Sequence, residues 1–253
     1  MKIILLFSLF AFGLSTISAF SHDTKESRAD ITVNDSITNE VYEGEDTVGF
    51  SIDPSLRHGR LTEQDFIEVA AELGVEVAAI KAVVEIEAGK SHNGFWSENK
   101  PLINFDLSMF RKMANKNKIS LAHATKEYPV IFSRPNITKY GSEQAAQQAR
   151  LDAARLVDDL SAVEGTFWGM FQIGGFNYKL CGCESVDEFV KRTAYSELEQ
   201  LQLFAVFITN SGMVQSLRNK DWATFARKYN GPSYAKRGYH TKMAKAYAVY
   251  SKL

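Results

Sequence analysis

From Leu61 to the end of the chain, apolar residues recur every three to four positions, which is the spacing of helices rather than strands. Thr62 precedes the first run with an acid three residues later, so a capping box predicts a helix that ends at Gly74. A second helix is predicted from Val75 to Ala88 and ends at Gly89. The same spacing predicts further helices over 106–115, 119–127, 142–163, 185–193, 196–211, 220–229 and 239–251. Because strand-type alternation is nearly absent, the predicted fold class is all-α.

The N-terminus differs from the rest of the chain. Lys2 is followed by an apolar run over 3–12 and then by small residues up to Ser21, which is the order of a secretory signal peptide. We therefore predict removal of residues 1–21 and an exported protein, periplasmic or secreted. A retained membrane anchor is the alternative, but the run is too short for a permanent span, which needs about 20 apolar residues.

Residues 22–60 are predicted to form an acidic flexible leader or an arm laid on the domain. They hold nine acidic and four basic side chains and little apolar surface. Residues 61–253 then form a single domain, which is large enough to bury its own core.

Composition narrows the class of function. The chain has 253 residues, 45% of them hydrophobic, with 29 Lys and Arg against 30 Asp and Glu. This excludes general disorder, and the lack of a basic excess argues against nucleic acid as a partner. The histidines are scattered and phosphate-binding loops are missing, so we expect a monomer without metal or other cofactor. Cys181 and Cys183 are too close in sequence for an unstrained disulfide, so free thiols are expected.

The second predicted helix is apolar almost all round, which indicates burial, yet two acids stand at its end. Glu87 falls on the face of Ile80 and Val84, where desolvation and the helix C-terminus favour its protonated form. Glu85 lies one turn after Lys81 and is predicted to pair with it. A carboxylic acid that is protonated near neutral pH can donate a proton to a glycosidic oxygen. Glu87 is therefore a candidate general acid, with capping of a loop as the alternative.

Three segments carry a family resemblance. They read Val-Glu-Ile-Glu-Ala-Gly at 84–89, Trp-Gly-Met-Phe-Gln-Ile at 168–173 and Arg-Lys-Tyr-Asn-Gly-Pro at 227–232. In this order and spacing they resemble the N-acetylmuramidase domain of bacteriophage endolysins, in the lysozyme-like superfamily, and more distantly goose-type lysozymes and lytic transglycosylases. The resemblance implies a lysozyme-like helical fold. It also implies hydrolysis of the β-1,4 bond between N-acetylmuramic acid and N-acetylglucosamine in the glycan strands of peptidoglycan.

The resemblance assigns roles to the motif residues. Glu87 is the implied proton donor, and Glu85 takes that role if the motif is shifted by two positions. The Gln172 amide is predicted to bind a sugar N-acetyl or hydroxyl group, and Gly169 to let a glycan approach the backbone closely. The other predicted substrate-binding residues are three rings and one amide: Trp168, Tyr229, Tyr239 and Asn230. The alternative for the rings is the core, and for Asn230 a hydrogen bond to its own backbone.

The chain departs from the family pattern at two places that bear on a second catalytic carboxylate. Phe105-Asp106-Leu107-Ser108 stands in place of Phe-Glu-Arg-His, and Glu143 in place of a small hydroxylated residue. Asp106 and Glu143 are therefore the candidates for that second group, although a solvated first-turn acid is the alternative for Glu143. An added acid would also suit deacetylated glycan. Two other functions stay open: a lytic transglycosylase that uses one glutamate alone, and an inactive peptidoglycan-binding protein.

Overall fold

The computed structural model describes residues 59–89, 93–133 and 144–253. The predicted signal peptide, most of the predicted leader and Glu143 lie outside these residues.

Helices make up most of the structure. The Thr62 capping box is present, and the first helix ends at Gly74 in the left-handed conformation, as predicted. The helices are Glu63–Leu73 (α1), Val77–Ala88 (α2), Leu107–Lys116 (α3), Ala124–Glu127 (α4), Gln144–Val157 (α5), Asp159–Glu164 (α6), Val186–Thr193 (α7), Glu197–Asn210 (α8), Val214–Arg218 (α9), Trp222–Asn230 (α10), Tyr234–Arg237 (α11) and Tyr239–Tyr250 (α12).

Two predicted helical ranges are wrong in extent. The range 142–163 is divided, because Asp158 adopts an extended conformation and caps α6 by accepting from the Ser161 N–H at 2.8 Å. The range 119–127 is helical only over its last four residues. The helices α9 and α11, of five and four residues, are too short for apolar periodicity to predict.

Within the described ranges, five short strands accompany the helices. Phe95–Ser97 (β1) pairs with Lys100–Pro101 (β2), while Ile103–Phe105 (β3), Thr166–Trp168 (β4) and Ile173–Gly174 (β5) form an antiparallel sheet in the order β3-β4-β5. Strands of two or three residues are too short to show alternation, which explains why the sequence predicts none. The α5 side chains of Gln144 and Gln147 accept hydrogen bonds from the backbone of β3 and hold it in place.

The core lies around α2 and α8. Ile80, Val83 and Val84 of α2 are fully buried, and α2 packs against α1 and α12, while α8 packs against α1 and α7. The helix α10 contacts α12, so the C-terminal helices lie beside α2. In the described part of the chain, no helix is both long and apolar enough to cross a membrane.

Candidate active site

Glu87 is the penultimate residue of α2. Its side chain is only partly accessible, and protein atoms crowd the carboxyl group. This loss of hydration raises the pKa of Glu87 from 4.5 to about 7, because the charged form is poorly solvated. At neutral pH the acid is therefore close to half protonated, which suits a group that must both release and recover a proton.

Asn230 holds one oxygen of this carboxyl group. Its Nδ2 donates to Glu87 Oε1 at 3.0 Å, across 143 residues of sequence. The Asn230 side chain is itself buried at the end of α10, where Gly231 turns the chain with a φ of +73°. The hydrogen bond lowers the pKa of Glu87 but is outweighed by burial, and it leaves Oε2 to carry the proton. The sequence suggests that Asn230 binds either the substrate or its own backbone. In the structure it binds the candidate acid instead.

Two of the predicted sugar-binding rings lie in the core, which corrects that prediction. Trp168 is 4% exposed and donates its Nε1 to the Val163 carbonyl at 3.1 Å. Tyr229 is 7% exposed, donates its hydroxyl to the Phe171 carbonyl at 2.8 Å and stacks on Phe225. Because β4 is the middle strand of its sheet and α10 faces the core here, neither ring presents a flat surface to a glycan.

Tyr239 has a different position, half-buried at the start of α12. Burial and, to a lesser degree, the negative charge of Glu87 raise the pKa of Tyr239, so its hydroxyl stays protonated. Lys242 Nζ lies 5.8 Å from the centroid of its ring. Of the three predicted rings, Tyr239 alone is both accessible and close enough to sense Glu87.

The turn between β4 and β5 carries Gln172 in the left-handed region, with a φ of +48°, which is unusual for a non-glycine residue. Its Nε2 donates to the Gly169 carbonyl at 2.8 Å, while its buried Oε1 has no hydrogen-bond partner. An unpaired buried acceptor costs about 1–3 kcal/mol. The turn therefore holds a buried acceptor that has no partner in the described chain.

Gln200, to which the sequence assigns no role, fixes this turn from α8. Its Oε1 accepts from the Met170 N–H at 2.7 Å, and its Nε2 donates to the carbonyls of Thr193 and Gly94 at 2.9 and 3.3 Å. A Cβ on Gly169 would lie 2.7 Å from Gln200 Oε1, so packing against Gln200 requires a glycine there. The contacts of Gln200 span 30 and 106 residues, so only the fold brings these groups together.

Glu197, three residues earlier on α8, is a second residue without an assigned role. Its buried carboxylate accepts from the Gly94 N–H at 3.0 Å and from the Leu61 N–H at 3.1 Å. One face of α8 therefore ties together the start of the domain, the segment after α2 and the turn that carries Gln172.

The candidates for a second carboxylate lie in different places. Asp106 caps α3 by accepting from the Met109 N–H at 2.9 Å, and it lies beside Arg150. Glu143 falls outside the described residues. Within the described chain, no hydrogen bond or ion pair joins Asp106 to Glu87.

The predicted ion pair between Lys81 and Glu85 is wrong. Lys81 Nζ instead donates to Glu63 Oε1 at 2.6 Å, because the packing of α1 on α2 brings that carboxylate within reach. Glu85 accepts from the Tyr250 hydroxyl of α12 at 2.9 Å. Glu85 thus faces α12 with a partner of its own, away from the Asn230 contact of Glu87.

Cys181 and Cys183 are both free and buried, in agreement with the prediction of free thiols. Burial raises the pKa of Cys183 to about 11 and that of Cys181 further still, so both stay protonated and unreactive. Among the residues that the structure describes, no three His, Cys, Asp or Glu side chains come together as a metal site.

Comparison with known proteins finds both a family model and a solved structure that are similar to this chain. The model of the N-acetylmuramidase family matches residues 76–251. The crystal structure of a Burkholderia AP3 phage endolysin is similar with a TM-score of 0.65 and 34% sequence identity, over 78% of this chain and 72% of that chain. A comparison with curated protein sequences found no match.

A mostly helical domain with a small sheet, and with a glutamic acid at the end of a core helix, defines a lysozyme-like endolysin fold. The chain belongs to the N-acetylmuramidase family and is thus a peptidoglycan hydrolase of the glycosidase type. The predicted fold class and the predicted family are confirmed.

Proposed function

We propose that the protein is an exported lysozyme-type muramidase that hydrolyses the β-1,4 bond between N-acetylmuramic acid and N-acetylglucosamine. The observation that carries this proposal is the Glu87 carboxyl group, which is crowded by protein at the end of α2 and held through one oxygen by Asn230. Glu87 Oε2 donates its proton to the glycosidic oxygen as the bond to the anomeric carbon breaks. The Asn230 hydrogen bond keeps the side chain oriented and stabilises the carboxylate that remains.

Water then attacks the anomeric carbon with help from a second group. Asp106 already accepts a helix-capping hydrogen bond, which favours a structural role for it. Glu143 therefore stays the candidate for activating the water or forming a covalent intermediate. An acid at that position would also attract a sugar with a free amine, so a preference for deacetylated glycan belongs to this proposal.

Two residues of the described site are proposed to bind the sugars. Gln172 Oε1, buried without a partner, would accept from an N-acetyl N–H or a hydroxyl. The protonated hydroxyl of Tyr239 would donate to a sugar oxygen beside Glu87.

A lytic transglycosylase is the second candidate function. Among the candidate acids that the structure describes, Asp106 caps a helix and Glu85 binds a tyrosine, so Glu87 is the one with an environment suited to acid–base work. A single glutamate is sufficient for transglycosylation, because it recovers its proton from a hydroxyl of the muramic acid itself. The product then has an anhydro end instead of a reducing end.

Mass spectrometry of fragments released from purified peptidoglycan, acetylated and deacetylated, tests the proposal. We expect reducing muramic acid ends from the mature protein, and a loss of at least about 100-fold in Glu87→Gln. The matched control is Glu85→Gln, which makes the same change two residues away on the same helix and is expected to keep most of the activity.

The other outcomes each contradict a part of the proposal. Anhydro ends would make the protein a transglycosylase. Full activity of Glu87→Gln together with loss in Glu85→Gln would move the acid to Glu85. No release from either form of the glycan would favour a binding protein without activity.

A further inference from the structure

The C-terminal part of the chain has a strongly one-sided charge. Residues 222–253 contain no Asp or Glu, although the whole chain has a net charge of −1. The basic residues of this segment are Arg227, Lys228, Lys236, Arg237, Lys242, Lys245 and Lys252. Surfaces of soluble proteins usually mix both signs, and a cationic region beside a cleft raises the local concentration of an anionic ligand.

This basic segment lies at the active site. It forms α10, α11 and α12, and α12 packs along α2, which carries Glu87. The helix α10 ends in Asn230, which binds Glu87 directly. The segment that carries the positive charge therefore borders the helix end that holds the catalytic acid.

Two cations of the segment converge on Tyr239. Lys242 Nζ is 5.8 Å from the centroid of the ring, and the Arg237 side chain is in hydrogen-bonding contact with the hydroxyl. Lys242 is exposed and makes no ion pair with any carboxylate of the described residues. Tyr239 also senses the charge of Glu87, so this ring and its two cations belong to the surroundings of the acid.

We propose that Arg237 and Lys242, grouped around Tyr239, form a subsite for the carboxylates of the peptide stem of peptidoglycan. This inference rests on the proposed function, because the stem is carried by the muramic acid whose bond Glu87 would cleave. A carboxylate on the stem is therefore held near the rim of the site whenever the bond is aligned. Anionic lipids and wall-bound phosphate polymers have no such fixed position relative to Glu87. A guanidinium pairs with a carboxylate through parallel hydrogen bonds, and an ammonium adds a point charge.

The test compares kcat/KM for two forms of the same uncrosslinked glycan strands, with their peptide stems and after enzymatic removal of the stems. The wild-type protein is expected to prefer the strands with stems. We expect Lys242→Glu to lower kcat/KM on these strands about three- to tenfold more than on the stripped strands. The loss should shrink in about 0.5 M salt, because the charges are exposed.

The matched control is Lys252→Glu, the same charge reversal at the end of the basic segment, which should change neither rate. An equal loss on both glycans in Lys242→Glu would overturn the inference, and so would equal cleavage of both glycans by the wild type. The inference would also be overturned if the wild-type preference disappeared when wall-bound phosphate polymers were removed and the stems were kept. Failure of the wild type on both glycans would instead contradict the proposed function, which Glu87→Gln tests separately.

Discussion

Ionisation of Glu87 is expected to destabilise the folded protein. The pKa of this group is about 7 in the folded chain and close to 4.5 when hydrated, so the folded state binds the proton more tightly than the unfolded chain. This loss of stability is absent below the pKa of the unfolded chain, grows between the two pKa values and is complete above the pKa of the folded chain. Glu87→Gln keeps an acceptor for Asn230 but cannot ionise. We expect it to raise the free energy of unfolding by about 1–3 kcal/mol at pH 8 and to leave it unchanged at pH 4. Urea unfolding measures both values, and a gain of equal size at the two pH values would contradict this explanation.

Asn230 is expected to set the pH range of activity through Glu87. Its hydrogen bond lowers the pKa of Glu87, so removal of the donor raises that pKa above its present value of about 7. In Asn230→Leu, which is similar in volume, the alkaline decline of kcat/KM should therefore move to higher pH, while kcat falls because the acid is less well oriented. A pH–rate profile of the two proteins measures the shift. A decline that moves to lower pH would mean that Asn230 does not act on the acid.

The sequence could predict those residues of the candidate site whose position follows from local spacing along a helix. Glu87 is recognisable because it falls on the apolar face of a buried helix and near its end. Its partner Asn230 is 143 residues away, and no local pattern connects the two. Trp168 and Tyr229 belong to the motif but lie in the core. The sequence could not show this, because the aromatic residue type alone does not distinguish a ring in the core from one in a cleft.

At the scale of elements, the turn between β4 and β5 depends on a glycine. Gly169 has a φ of +68°, and a Cβ there would lie 2.7 Å from an oxygen of Gln200, which three hydrogen bonds hold in place. We expect Gly169→Ala to lower the free energy of unfolding by about 2–4 kcal/mol, from backbone strain and steric conflict together. Urea denaturation and hydrolysis of peptidoglycan check this, and activity should fall because Gln172 moves with the turn.

Gly212 offers the control for this prediction. It has a similar φ of +64°, but nothing lies within 4 Å of the position that a Cβ would take. We therefore expect Gly212→Ala to lower the free energy of unfolding by about 1–2 kcal/mol, from backbone strain alone. Equal losses in the two variants would mean that the contact with Gln200 adds nothing.

Helices could be predicted where capping residues mark their ends, and less well where they do not. Thr62, Gly74 and Gly89 define α1 and the end of α2 as the sequence predicts. The break between α5 and α6 has a local signal in Asp158, but the surrounding helical pattern hides it. The strand β3 could not be predicted, because side chains of a distant helix hold it: Gln144 and Gln147 bind its backbone from 41 and 42 residues away.

At the scale of the whole molecule, the start of the domain is held by contacts with residues far along the chain. Gly59 and Arg60 stand at the end of the predicted leader, yet the Gly59 carbonyl accepts from the Glu197 N–H at 3.4 Å and Arg60 Nη1 donates to Asn93 at 2.8 Å. The Leu61 N–H then donates to the Glu197 carboxylate at 3.1 Å. We therefore expect the folded unit to begin at residue 59, before α1, and not within α1.

Two truncations test this boundary. A chain that begins at residue 59 keeps the contacts to Glu197 and the Thr62 cap, so it should unfold at the same temperature as a chain that begins at residue 22. A chain that begins at residue 64 loses the cap, worth about 0.5–2 kcal/mol. It also leaves one oxygen of the buried Glu197 without its donor, at a cost of about 1–3 kcal/mol. We therefore expect its midpoint in calorimetry to fall by several degrees. A similar fall in the chain from residue 59 would show instead that the acidic segment before it is an arm that stabilises the domain.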